Sequence, residues 1–190
     1  LPQDQSRQHQ HQPPHPQHID SIELDLADLR FPPLDLQQTL PQQLAILAAA
    51  REALAETGAL PRERTAVLIG MEPDAEVARY GTRWRLAQSD HDPKPEQDAV
   101  IAPLQAAGVL GCMPNIPANR LSSQFDLAGP AFTVQAGANS GLVALNIARR
   151  GLLSGELDAA LVGAVDLCCE PVNQAAGNPN PADAAVAFVL

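Results

Sequence analysis

Aromatic side chains are scarce in this sequence: four Phe, one Trp and one Tyr account for 3% of its 190 residues. That scarcity excludes a core built on large rings, and the abundant Ala favours close helix-on-sheet packing instead. Basic residues are also few, with 12 Lys and Arg against 22 Asp and Glu and a net charge of −10. A chain so acidic cannot neutralise a nucleic-acid backbone, and its one basic cluster, Arg79, Arg83 and Arg85, reads as a solvated face. The three cysteines, Cys112, Cys168 and Cys169, are too few and too oddly placed for a disulfide framework. They show no metal-ligand spacing and are expected to be buried, reduced thiols. No apolar run is long enough to span a bilayer. The N-terminus carries no apolar signal region, so a cytoplasmic protein is expected.

What is present begins with a Gln/His/Pro-rich segment, residues 1–18, which cannot bury enough apolar surface to order itself. It reads as a disordered linker between modules, and compositional drift accounts for His9, His11, His15 and His18 better than a metal site does. Residues 19–190 form the expected domain. Ile19 to Leu36 should be extended and loop-like. Thr39, with Gln42 three residues later, suggests a capping box opening a helix that runs to Gly58, with Pro41 in its first turn and Leu40, Leu44, Leu47 and Leu54 on one face. Thr65 to Gly70 is a short buried strand. A helix is expected around Glu76 to Leu86, a shorter one over Ala99 to Ala107, and another starting near Ile116.

The centre of the chain is Gly129 to Leu142. Ala131 to Val134 reads as a strand, Gln135 to Gly141 as a tight turn of small residues, and Leu142 onward as a helix apolar on most sides, hence buried, that stops at Ser154-Gly155. Asp158 to Val165 is a second buried strand, completing a βαβ unit with parallel strands. A polar loop over 173–181 and a last apolar strand, Asp183 to Leu190, follow. A strand-to-helix turn of this kind displays a nucleophile in many folds. Here its apex is Ala138, which has no such chemistry. Ser140 is near, but Gly137-Ala-Asn-Ser-Gly141 is not the nucleophile elbow and no paired base accompanies it.

Three stretches resemble the β-ketoacyl synthase family, the condensing enzymes of fatty-acid and polyketide assembly. Asn115-Ile-Pro-Ala-Asn-Arg-Leu-Ser122 is similar to that family's N-x-x-A-x-R-[IL]-S. Asp126-Leu-Ala-Gly-Pro-Ala-Phe-Thr-Val134 is similar to the strand before its nucleophile, and Ser154 to Val165 to its S-G-x-x-D-x-A-L-x-G-G-V stretch. The three occur in the family's order. The resemblance implies an α/β fold, specifically half of a thiolase-like layered α-β-α architecture, incomplete at both ends. Phe31 to Leu44 and the turn Ala136 to Ser140 look like the chain-length-factor-like, nucleophile-less synthase domain of polyunsaturated-fatty-acid and polyketide megasynthases.

The departures set the functional expectation. In active members the turn carries a Cys that is acylated by the growing chain, and the matching position here is Ala138. A methyl group forms no thioester. The family's two catalytic His residues belong to a second half of the fold that this chain does not include, His91 stands isolated in a polar stretch, and the usual G-E-G-A is replaced by Ala182-Asp-Ala-Ala185. The resemblance therefore implies an acyltransferase-family domain with no catalytic, cofactor-binding or metal-binding residue of its own. Such a domain pairs with an active ketosynthase domain, as a homo- or heterodimer, and works beside an acyl carrier protein whose phosphopantetheine holds the chain. Two alternatives accompany this one. In the first, the domain decarboxylates malonyl groups, as relatives with Gln at the nucleophile position do; the nearest Gln here is Gln135. In the second, it is a degenerate fragment whose exposed apolar face and sheet edge demand a partner.

Overall fold

The computed structural model describes residues 18–74, 76–88, 94–169 and 182–190. The expected linker up to residue 17, His91 and the 173–181 loop lie outside the described residues. Among the described residues, seven helices and four strands follow in the order α1 (Pro33–Gln37), α2 (Pro41–Ala55), β1 (Thr65–Gly70), α3 (Val77–Leu86), α4 (Lys94–Val100), α5 (Ala106–Cys112), α6 (Ile116–Phe125), β2 (Ala131–Val134), α7 (Ser140–Leu153), β3 (Ala159–Leu167) and β4 (Asp183–Val189). This is an α/β architecture, one sheet covered by helices. No described helix is long and apolar enough to cross a membrane.

The strand order is β2-β1-β3-β4. β1 pairs in parallel with β2, Val67 opposite Ala131, and with β3, Thr65 opposite Ala159. β4 runs antiparallel to β3, Leu161 opposite Val189. The expected βαβ unit is therefore present with its strands parallel, but β1 lies between them. The earlier strand takes the centre because its six residues, Thr-Ala-Val-Leu-Ile-Gly, are all buried and can be covered on both faces.

Alternation along the strands divides the core into two layers. Val67, Ile69, Leu161 and Val165 face α2 and α6, where they meet Ile46, Leu47, Ala50, Ala118 and Leu121. Ala66, Leu68, Ala160 and Val162 face α7, where they meet Ala144 and Ala148. The two layers are built differently. On the α2 side large side chains interdigitate, and Gly163 makes room for Ile46, whose Cδ1 would lie 2.7 Å from an added Cβ. On the α7 side small residues let helix and sheet approach closely, and Gly151 admits Leu157 in the same way.

Several local expectations need correction. Thr39 does not cap α2: Leu40 holds the N-cap position without a side-chain bond, and Pro41 opens the helix. The Thr39 hydroxyl instead donates to the Asp35 carbonyl at 2.6 Å, closing the short helix α1. That helix begins at Pro33, inside a stretch expected to be extended, because a proline at the first helical position loses nothing. The helix expected over Ala99 to Ala107 is two helices, α4 and α5, with a break between them. Pro103 disfavours helical backbone at Ala102 and separates them. The helix α7 is not buried on most sides. It buries Ser140, Ala144, Ala148 and Gly151, while Leu142 and Leu153 are 67% and 73% exposed. Its end is as expected: Gly155 adopts φ +74°, Gly155 N–H donates to the Leu152 carbonyl and Glu156 N–H to that of Gly151, a Schellman closure.

Ile46 is fully buried between α2 and the sheet. Ile46→Ala leaves a cavity there and is expected to lower unfolding free energy by about 3 kcal/mol, read from the shift of a urea transition.

Candidate functional site

The parallel strands all end on one side, and the turn 135–139 sits there between β2 and α7. Two hydrogen bonds from one side chain shape it. Ser140 Oγ accepts the Ala136 N–H at 2.9 Å and donates to the Gly137 carbonyl at 2.6 Å. Gly137 takes φ +60°, a left-handed conformation that a residue with a Cβ adopts only with strain. The turn is pressed onto the sheet: a Cβ added at Gly70, the last residue of β1, would stand 2.4 Å from the Gly141 nitrogen and from the Ser140 carbonyl carbon. A Cβ on Gly141 would meet Ala164 of β3 at 2.7 Å.

Ala138 is exposed at the apex and opens on a cavity of about 270 Å³. Gly70, Met71 and Glu72 at the end of β1, Gly137, Ala138, Ser140 and Gly141 at the turn, and Ala164 to Asp166 of β3 form much of its wall. Ligands of parallel-sheet proteins commonly bind at this end of the strands. Ser140 is 5% exposed and its hydroxyl is committed to the turn's own backbone. Gln135 is exposed and does not line the cavity. The ionisable groups that do line it, among the described residues, are Glu72 and Asp166. Neither stood out in the sequence; Asp166 lies near the end of β3 and Glu72 just past the end of β1, and the parallel register places them together at one end of the sheet.

The cysteines lie elsewhere. No disulfide joins them, and none lines this cavity. Burial pushes the Cys112 thiol up. Burial, then the Asp166 carboxylate, pushes that of Cys168 up to about 12. These are protonated, weakly nucleophilic groups.

The motif residues noted in the sequence act as scaffolding, several of them at the opposite end of the parallel strands from the turn. Asp126 ends α6 at φ +59° in the left-handed region, with its carboxylate paired to Arg62. Gly129 lies so close to β1 that an added Cβ would meet the Thr65 carbonyl oxygen at 2.3 Å. The Pro130 carbonyl accepts the Val67 N–H at 2.8 Å, aligning β2 on β1. The Thr133 hydroxyl donates to the Pro114 carbonyl at 2.7 Å. Arg120 is buried, donates to Thr39 Oγ1 at 2.6 Å and lies 5.4 Å from the centre of the Phe31 ring. The Ser122 hydroxyl donates to the Leu127 carbonyl at 2.6 Å, and Asp158 pairs with Arg64 at 2.8 Å.

A mixed sheet whose edge strand leads through a tight turn into a closely packed helix matches the thiolase-like class. The family profile described as "Beta-ketoacyl synthase, N-terminal domain" matches residues 2–181, and the chain belongs to that family. It is 29% identical over 163 residues to a polyunsaturated fatty acid synthase polypeptide of Thraustochytrium sp., covering 82% of this chain and 8% of that protein. To a phenolphthiocerol/phthiocerol polyketide synthase polypeptide of Mycobacterium tuberculosis it is 34% identical over 157 residues, covering 79% of this chain and 10% of that protein. The chain thus spans a tenth or less of the length of these two curated relatives. A solved structure titled "PfaC Keto synthase-Chain length factor" superposes with a TM-score of 0.70 at 24% identity, covering 84% of this chain and 21% of that one. The fold is therefore that of the ketosynthases, and the domain is ketosynthase-like, of the kind found in polyketide and polyunsaturated-fatty-acid synthases.

Two stability outcomes follow from the turn. Gly70→Ala forces backbone apart at the sheet–turn contact and is expected to cost about 3 kcal/mol, whereas Gly58→Ala, with nothing within 4 Å of the added carbon, should change stability by under about 1 kcal/mol. Ser140→Ala strands the Ala136 N–H and should cost about 1–2 kcal/mol. Denaturant midpoints of the three variants measure all of this.

Proposed function

We propose that this chain is part of a non-catalytic, chain-length-factor-type ketosynthase domain that pairs with an active condensing domain. The observation that carries the reading is Ala138. The turn keeps the tight geometry of a nucleophile-bearing turn and opens on a cavity, yet its apex bears a methyl group. Among the described residues no cysteine lines that cavity, and its one lining hydroxyl, that of Ser140, is buried and bonded to backbone. Nothing in that wall can accept an acyl group readily, so the chain's contribution is shape: it forms part of the wall beside which a partner elongates the acyl chain.

Two surfaces support pairing. β2 is an edge strand, hydrogen-bonded to β1 on one side only among the described residues, with Phe132 41% exposed. Beside it a cavity of about 420 Å³ is lined by Leu68, Pro130, Phe132 and Ile147. The outer face of α7 presents Leu142, Val143 and Leu153 to solvent. An unprotected strand edge next to apolar side chains calls for protein cover. In this reading the growing chain rides on the phosphopantetheine of an acyl carrier protein in the cytoplasm, and the covalent chemistry belongs to the active partner. The decarboxylase alternative gains no support from Gln135, which stands outside the cavity.

The test uses the whole synthase that contains this domain. After incubation with labelled acyl donor, mass spectrometry of the peptide carrying Ala138 is expected to find no acylation, while a condensing domain of the same assembly is labelled. Substituting Phe132→Arg in the intact assembly should weaken its association with that domain. An acyl group on any residue of 135–141, or pairing indifferent to the β2 edge, refutes the proposal.

A further inference from the structure

At the β3–β4 edge of the sheet, three segments distant in sequence bring a histidine, a cysteine and a carboxylate together. His18 opens the described chain, Cys169 follows β3, and Asp183 begins β4. A ligand atom from each lies within 4.8 Å of the other two. Cys169 is 7% exposed, and the Asp183 side chain is 4% exposed. His18, half exposed, leaves one side open to solvent.

The carboxylate is held in place before any metal enters. Asp183 Oδ1 accepts the Cys169 N–H at 2.9 Å, and Oδ2 accepts the Ile19 N–H at 3.0 Å. His18 Nδ1 stands 2.7 Å from Oδ2, a bond made through a proton. The other ring nitrogen, Nε2, faces the Asp20 carboxylate at 3.8 Å. With Nδ1 on a metal, Nε2 is the nitrogen left facing Asp20, the side from which a carboxylate can orient a metal-bound histidine.

The geometry points to a zinc-class divalent metal site formed by His18 Nδ1, Cys169 Sγ and Asp183. Tetrahedral zinc with Zn–N near 2.0 Å, Zn–O near 2.1 Å and Zn–S near 2.3 Å needs its ligands roughly 3.3–3.6 Å apart. To take up that spacing the 2.7 Å His18–Asp183 contact opens by about 0.6 Å, and the Cys169 sulfur, within 4.8 Å of both partners, adjusts toward them. On binding, the His18 ring proton moves from Nδ1 to Nε2, toward Asp20, and the thiol proton leaves to solvent. The two backbone N–H bonds to Asp183 remain. The mixture of imidazole, thiolate and carboxylate suits zinc better than magnesium or calcium, which prefer oxygen alone. Three protein ligands leave the fourth position on the exposed side for water. Such a site ties the start of the domain to the β3–β4 edge, and sequence spacing could not announce it, because each ligand comes from a different segment.

The test is a titration of the full chain, freed of metal by a chelator, with zinc and with cobalt(II). One equivalent is expected to bind, and cobalt should give a thiolate-to-metal charge-transfer band. Cys169→Ser should abolish that band, whereas Cys168→Ser and Cys112→Ser should keep it. His18→Gln and Asp183→Asn should each weaken binding by about tenfold or more. His18 is half exposed, so H18Q is expected to fold normally by circular dichroism and decides the matter should D183N prove unstable. Absence of the band, a band that survives C169S, or unchanged affinity in H18Q overturns the site.

Discussion

Backbone lies directly against backbone where β1 ends beneath the turn, and the rest of the domain is arranged to permit it. Gly70 and Gly141 carry no Cβ because at that contact none would fit. The same economy continues along α7, where Ala144, Ala148 and Gly151 form the buried stripe. A helix held that close to a sheet places its first turn, and hence the apex residue, over the ends of three strands. The rigidity of the site is thus a property of small residues, and the scarcity of aromatics is its compositional counterpart.

The motifs that mark the family have a common physical character. Asp126 turns the chain at the end of α6, Gly129 and Pro130 seat β2 against β1, Arg120 ties α6 to the segment before α2, and Gly155 closes α7. Each fixes the course of the backbone, and none donates or accepts a reacting group. A sequence can therefore keep all of them whatever residue stands at the apex of the turn, so family membership by itself does not decide catalytic competence.

Much of the fold could be read in advance. The strand Thr65–Gly70 was legible because an unbroken apolar run between a threonine and a glycine leaves little else to form. β2, its turn and α7 were legible because Gly, Pro and small polar residues mark the changes of direction. The strand order was not, because β1 enters between two strands that follow it in sequence, and no local pattern encodes that insertion. The outward face of α7 was misjudged for a related reason. Hydrophobic periodicity marks a helix with large residues all round as buried, but here alanines and glycine make the contact while Leu142 and Leu153 face away. Of the site, the empty apex was plain, whereas Glu72 and Asp166 became visible only once the parallel register was known.

The position of β1 also bears on how the domain comes into being. Its partners lie far downstream: Val67 waits for Ala131 and Thr65 for Ala159, separations of 64 and 94 residues. As the chain leaves the ribosome, the most apolar strand emerges first and both of its neighbours emerge late. Helix α2 is the element already present that can shield one face of it, through Ile46, Leu47 and Ala50. Assembly of the sheet is therefore a long-range, slow event, and α2 acts in the interval as the nascent strand's temporary cover.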